Sequence, residues 1–473
     1  MLLRNILHND NFKVVFRYSS IKYVALVIGL VKGIVNAASL GPELFGILGN
    51  LILVLSYLAY TNLGIVYSMN REYVLYESKG EEIRAENVIN TTFTALIILS
   101  TFLILTGVST TFFYKGDLRN YLVLIFIIAI FEQYRSFYMN YFRLTNDFKK
   151  INNIEIINSI FSFVLIVILI KYFAIYAVLI AMLISGCIIF FYGIKHLGKI
   201  KFSIDRQVIK DLLVVGFPLL IYNLGFYIIT TIDRVMTIKF LDYKDLGYLT
   251  FSNQIAGGTL VFITSVLFLY YPKAIKMLNV DSNVNTRIFL RRTEKYTKYV
   301  EVFGVVLCVT GVILIEPFVD VLVPSYDISI NIYRILIFGT IVNQIAYFFN
   351  VFIVSNKKQI YLIYIQIIII SLSIIFNFVF IKIGMGIIGI VLATSISNVI
   401  YSILQLVVYL KILKVEINYI RTITRVYLKF NLIMAVNAIL VLFNTSFMLY
   451  SLIIILITII LYYKDFRKML KEK

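Results

Sequence analysis

The chain has 473 residues, 60% of them hydrophobic and 15% charged, with a mean hydropathy of +0.91 and a formal net charge of +19. Soluble domains run at roughly 45–50% apolar and 25% charged, so an ordinary soluble protein is excluded, and five prolines with few long polar stretches exclude a disordered or collagen-like chain. A bilayer is the solvent that fits: at roughly 20 apolar residues per crossing, the length accommodates about a dozen or more spanning helices and leaves no separate soluble domain.

Apolar runs of spanning length fall near 17–40, 44–69, 88–108, 120–141, 153–171, 173–194, 211–240, 246–271, 299–323, 331–354, 360–382, 386–411, 427–443 and 447–463. The prediction is an all-α integral membrane protein of about fourteen transmembrane helices. Connections on one side are very short, as between Leu40 and Glu43 or Asn444 and Ser446, and those on the other are longer and basic. The N-terminal tail, the even-numbered loops and the C-terminal tail carry about 34 Lys and Arg against about six in the odd-numbered loops, which predicts both termini in the cytoplasm. The positive charge thus follows the topology, and nucleic acid is not expected as a partner. The longest basic connection, about Pro272 to Lys298, holds Lys273, Lys276, Arg287, Arg291, Arg292, Lys295 and Lys298 and reads as topogenic charge beside anionic membrane lipid. Arg4, Lys13, Arg17 and Lys22 are spread over the start without a small-residue cleavage motif, so the first helix is expected to be retained. Cys187 and Cys308 sit inside apolar runs, and His8 and His196 lack ligand spacing; neither a metal site nor a cofactor is predicted.

An internal repeat organises the chain. Leu40-Gly-Pro-Glu-Leu-Phe-Gly46 between the first two spans corresponds to Leu241-Asp-Tyr-Lys-Asp-Leu-Gly247 between the seventh and eighth. Lys149-Lys150 matches Lys357-Lys358, Ile170-Lys171 matches Ile381-Lys382, and Ala174, Ala177, Ala181 and Ser185 line up with Gly386, Gly389, Ala393 and Ser397, a small-residue spacing that lets helices approach closely. Each repeat holds six spans, an even number, so the halves are expected to enter the membrane alike and to be related by a pseudo-two-fold axis along its normal, enclosing a cleft. The predicted organisation is a six-helix bundle over 1–200, a second over 201–415, and two further helices with a cytoplasmic tail over 416–473, outside the repeat and read as an appendage.

Gly216-Phe-Pro-Leu-Leu220, Ile232-Asp-Arg-Val235 and Leu246-Gly-Tyr248 resemble the signature opening the second half of polysaccharide-type exporters in the multidrug/oligosaccharidyl-lipid/polysaccharide (MOP, MATE-like) exporter superfamily. Gly386-Ile-Ile-Gly389 with Ala393-Thr-Ser-Ile-Ser397 is similar to the helix that closes that half, although Ile390-Val391 replaces the usual alanines. Within the superfamily the chain most resembles Wzx-type O-antigen or capsule repeat-unit flippases. The resemblance implies transport of an undecaprenyl-diphosphate-linked oligosaccharide across the bacterial inner membrane, with the polysaccharide polymerase as a candidate partner.

A charge at the bilayer centre costs roughly 2.5–3.5 kcal/mol on insertion scales, so intramembrane ionisable residues are candidates for function. Lys32, Arg135, Arg234 and Arg334 are the candidate substrate-binding cations, and an arginine fork suits a diphosphate because it donates two parallel hydrogen bonds. Snorkelling or a structural ion pair is the competing reading for each, and it weighs most for Arg334. Asp233, Glu132 and Glu316 are candidates for coupling to a proton or sodium ion, or for gating; the repeat makes Asp233 the counterpart of Lys32, so a gate-like pair of these two is one expectation. Tyrosine and phenylalanine are abundant and read mainly as lipid-facing or interfacial. Pro218 and Pro317 are candidate bending points.

No Walker sequence, nucleophile elbow or metal-ligand cluster occurs, so neither ATP hydrolysis nor another enzyme activity is predicted. The competing functions are a multidrug/cation antiporter, a lipid II flippase, and, as a membrane enzyme, a polysaccharide polymerase. Carboxylates should dominate the antiporter's cleft, the lipid II flippase should carry early Asn-Arg-rich motifs, and the polymerase should have a long basic outer loop.

Overall fold

A computed structural model describes residues 10–198, 200–278, 286–413 and 418–471; His8 and Arg4 lie outside them. Sixteen α-helices and no strand occur among the described residues. This follows from the composition, because in hydrocarbon each backbone N–H and C=O must be paired within its own segment, which a helix achieves. The helices are α1 (Asp10–Leu58), α2 (Ile65–Ser78), α3 (Glu82–Phe113), α4 (Gly116–Leu144), α5 (Phe148–Ile156), α6 (Ser162–Phe173), α7 (Ile175–His196) and α8 (Arg206–Phe240). They continue as α9 (Tyr243–Leu278), α10 (Thr286–Leu322), α11 (Ile328–Ile345), α12 (Tyr347–Ser355), α13 (Gln359–Lys382), α14 (Gly386–Leu413), α15 (Tyr419–Leu442) and α16 (Phe447–Lys471). Twelve helical stretches among the described residues are long and apolar enough to cross a membrane, and the protein is a multi-pass membrane protein. The first of the twelve, Ser20–Ser78, contains a break at Gly41 (φ 73°, ψ 171°). At the break glycine takes the left-handed φ that other residues avoid, Pro42 restarts the helix where no amide donor is needed, and Glu43 faces the positive helix end.

The basic connection expected over 272–298 is mostly helix: 272–278 complete α9 and 286–298 begin α10, with 279–285 outside the described residues.

The chain divides into two compact units, Met1–Leu40 with Ile47–Leu224, and Gly41–Gly46 with Gly225–Lys473. The first unit has its core where α2, α3, α4, α5, α7 and the start of α8 meet, around Met69, Phe93, Phe137, Tyr138, Phe142, Ile151 and Leu212. Its helices approach through small residues. A Cβ on Gly193 would strike the Tyr138 ring, Gly186 faces Phe131 and Gly107 faces Phe126, while Ala177, Ala181 and Ser185 of the small-residue stripe are buried.

In the second unit α11 is the central helix. All residues of Ile332–Phe338 are buried, and α9, α10, α14 and α15 pack around them. Gly339 abuts Ser395, and Ala393 and Ser397 of the matching stripe are buried. The two repeat-related turns also meet in this unit. A Cβ on Gly46 would collide with the Tyr243 carbonyl, and one on Gly247 with the Pro42 carbonyl, so each glycine yields its side-chain space to the other turn's backbone. Phe45 packs edge-on against Tyr326 alongside.

The last two helices bond to the rest of the second unit. Tyr427 of α15 bonds to Ser402, Asn437 donates to the Arg334 carbonyl at 2.8 Å, and Tyr450 and Tyr462 of α16 are buried with their hydroxyls donating to Asn437 and Glu301. These tyrosines depart from the lipid-facing reading because a buried ring keeps its packing energy only if its hydroxyl finds a partner, and here each does.

Candidate functional site

In the first unit three of the predicted residues come together. Glu132 and Arg135 stand three apart on one face of α4, and Arg135 grips one carboxylate oxygen of Glu132 with Nε at 2.8 Å and Nη2 at 2.6 Å. Lys32 of α1 donates to Ser162 Oγ at 3.4 Å, and all three line a cavity of about 290 Å³ with Asn158, Ser162 and Met182. Two cations thus face one carboxylate, leaving a net positive charge in a half-buried setting where Coulomb forces are stronger than in water.

The wall opposite is shaped by a π-helical turn, Ile157–Phe161, between α5 and α6. Such a turn inserts one residue into the helical ladder, and Ser162 Oγ satisfies the displaced Asn158 carbonyl at 2.5 Å. Asn158 and Ser162 were not singled out from sequence; the available signal was an amide and two hydroxyls within five residues of an otherwise apolar span.

In the second unit the predicted residues form two separate groups. Asp233 of α8 is 2% exposed, and its carboxylate accepts from the Arg234 backbone N–H at 2.8 Å and from Asn253 Nδ2 at 3.4 Å. The side chain of Arg234 projects elsewhere, as neighbours about 100° apart on a helix must, and its buried Nε has no hydrogen-bond partner among the described residues. Glu316 of α10 and Arg334 of α11 pair at 2.5 Å. Arg334 is 5% exposed, its guanidinium lies 4.1 Å from the centre of the Tyr450 ring, and Asn331 accepts a further bond at 3.4 Å. The arginine is covered by Tyr450 of α16, whereas the Glu316 side chain is 28% exposed. Asp320, nearer the helix end, is exposed.

Among the described residues no group of three His, Cys, Asp or Glu is placed to hold a metal ion. Cys187 and Cys308 are free thiols, the second buried, and His196 Nδ1 bonds to the Tyr192 carbonyl at 2.8 Å at the end of α7.

The described residues thus form a bundle of apolar helices that holds paired ionisable side chains in its interior. Residues 12–275, more than half of the chain, match the model of the polysaccharide biosynthesis protein family, and the chain belongs to that family. No protein of curated function matches it in sequence. Its fold is similar to that of a multidrug resistance MATE family transporter of the MOP superfamily solved in an inward-facing conformation, at 17% identity and a TM-score of 0.68 over 82% of this chain and 94% of the other. It is equally similar to the lipid II flippase MurJ, at 17% identity and a TM-score of 0.69 over 96% of this chain and 100% of the other. A Vibrio cholerae MATE transporter shares 15% identity with a TM-score of 0.56 over 86% and 98%. At these identities the likeness establishes the fold: a helical membrane protein built as the exporters of the MOP superfamily are.

Proposed function

We propose that the protein is a flippase that moves an undecaprenyl-diphosphate-linked oligosaccharide repeat unit, of O-antigen or capsule, from the cytoplasmic to the outer face of the bacterial inner membrane by alternating access. The observation that carries this reading is the cavity where Lys32 and Arg135 face a single carboxylate, in a chain of the polysaccharide biosynthesis family. Arg135 and Lys32 bind the diphosphate, Glu132 fixes the plane of the Arg135 fork, and Asn158 and Ser162 complete the wall. At about 290 Å³ the cavity is near the low end of ligand pockets, roughly 300–1,000 Å³, so it takes the headgroup and leaves the glycan outside. Arg234, with its unpartnered Nε, is a second phosphate-binding candidate, and Asp233 the candidate for a coupling proton or sodium ion. Both termini face the cytoplasm, as the distribution of Lys and Arg requires.

The fully buried Asp233 carboxylate, beside a fold shared with multidrug transporters, favours a cation antiporter as the second reading. One experiment separates the two. Deleting the gene should abolish surface polysaccharide and cause diphosphate-linked repeat units to build up at the cytoplasmic face, and Arg135→Ala should fail to complement while its membrane level stays normal. Full surface polysaccharide in the deletion strain, together with drug sensitivity, would give the antiporter reading its place.

A further inference from the structure

A second charged cavity, of about 450 Å³, opens where the start of α10, the start of α15 and the end of α16 meet in the second unit. Six basic side chains and three carboxylates line it, a surplus of three positive charges. The carboxylates are already engaged. Asp465 bridges Lys298 at 3.4 Å and Lys429 at 2.7 Å, Glu301 takes Lys298 at 2.8 Å, and Glu294 takes Arg425 at 3.2 Å. The Tyr462 ring fixes the floor, with the ammonium groups of Lys298 and Lys429 at 4.9 Å and 5.5 Å from its centre and its hydroxyl on Glu301. Both partners of that last bond are buried: Tyr462 is fully buried and Glu301 is 1% exposed.

Two features point from this floor to a ligand. Arg291 and Lys468 line the cavity with no acidic partner among the described residues. The Thr297 hydroxyl, on a residue 1% exposed, also lines it and has no hydrogen-bond partner, a donor that a buried position does not tolerate without cost. Glu294 leaves one oxygen unpartnered as well, and the guanidinium of Arg425 beside it offsets its charge. Like charges gathered this closely repel until an anion enters, and a tetrahedral oxyanion matches a hydroxyl and two cations from different helices. We infer that this cavity is a binding site for a phosphate group, that of an anionic phospholipid headgroup or free phosphate, distinct from the Lys32–Arg135 cavity and independent of the transport reading.

The test uses the full-length protein, delipidated in neutral detergent and offered equimolar phosphatidylglycerol and phosphatidylcholine, with retained lipid counted by native mass spectrometry. Wild type should keep phosphatidylglycerol at least ~5-fold over phosphatidylcholine. The Arg291→Ala/Lys468→Ala double variant should lose most of that preference, whereas Lys411→Ala/Arg421→Ala, with the same change in charge, should keep it. Thr297→Val, which leaves all charge in place, should weaken retention by a factor of ~2–5 without lowering the melting temperature. A parallel titration with inorganic phosphate distinguishes the sources: a rise in melting temperature at millimolar phosphate, lost in the double variant, assigns free phosphate. No such rise, with lipid retained, assigns the headgroup. Equal loss of lipid in both double variants, or no preference in wild type and no response to phosphate, would overturn the proposal.

Discussion

Two ion pairs within the spanning segments, Arg135 with Glu132 and Arg334 with Glu316, are alike in chemistry and nearly alike in length, yet their surroundings give them different work. Arg135 and Glu132 are about a quarter exposed and border a cavity shared with Lys32, so a third charge waits beside the pair. Arg334 is covered by the Tyr450 ring, and its backbone carbonyl is capped by Asn437, so the pair fastens α10 to α11 while α15 and α16 close over the arginine. The contrast teaches that an intramembrane arginine is read by what stands on its far side: open space and surplus charge for a ligand, an aromatic lid for a fastening.

The comparison is broken most severely by Arg334→Met. It leaves the partly exposed Glu316 carboxylate without its partner and removes the Arg334 contacts with Asn331 and Tyr450, and should cost about 1.5–3 kcal/mol of stability, measured by unfolding in mixed micelles, with the membrane level of the protein falling accordingly. Replacing both partners, Arg334→Met with Glu316→Leu, should recover most of that loss, since a buried pair exchanged for apolar packing is often neutral. If the double variant is as unstable as the single, the pair is not a fastening.

Arg135→Ala should do the reverse, leaving the melting temperature within a few degrees and lowering export by a factor of ~10 or more, as expected for the loss of charge-assisted bonds of about 1.5–3 kcal/mol. Arg135→Lys should restore part of the export, because a point charge cannot reproduce the fork. Full export by the alanine variant, measured as surface polysaccharide at equal protein level, would remove the cavity from the transport path.

A tight contact without charge sharpens the same distinction. Gly247→Ala drives a methyl group into the Pro42 carbonyl and should cost about 1–3 kcal/mol, the usual range for overpacking, as seen in a thermal melt, with residual export tracking the amount of folded protein.

The smallest effect comes from the same kind of pair placed outside the spanning segments. Asp147 caps α5 through the Lys150 amide at 3.2 Å and pairs with the Lys150 ammonium at 2.8 Å. Partial burial pushes its carboxyl up, but the bonds from the Lys150 side chain and backbone outweigh this and hold it below the usual carboxylate value. A depressed value means the contribution is present at neutral pH and is lost as the pH falls through it. Asp147→Ala should therefore cost about 1 kcal/mol at pH 7. Asp147→Asn keeps the cap, costs less, and should become indistinguishable from wild type in acid unfolding well below pH ~4.

Much of the fold was legible because bilayer crossings need long apolar runs and breaks need special residues. The Gly41-Pro42 break was readable from the dipeptide, and the stripes at Ala177–Ser185 and Gly389–Ser397 were readable as packing faces that prove buried. The candidate site was legible in its charges and not in its walls. Lys32, Glu132 and Arg135 stood out against apolar sequence, but that they share a cavity depends on how α1 and α4 are rotated, which hydropathy does not encode. Asn158 and Ser162 escaped notice because neither carries a charge, and no residue preference announces a π turn. Tyr427, Tyr450 and Tyr462 misled because composition cannot distinguish a ring facing lipid from one whose hydroxyl bonds inward.

The mutual fit of Gly46 and Gly247 also sets a timetable for the ribosome. When the hairpin at Gly41 leaves the synthesis machinery, the turn it must interlock with is still about 200 residues from being made, roughly 10–40 s at 5–20 residues per second. Through that interval a strip of bare glycine backbone lies open beside the helix, unmatched by anything in the nascent chain. Chains truncated ahead of α9 should therefore be cleared faster by membrane proteases than chains that include it, and the hairpin is where an insertase has most reason to linger.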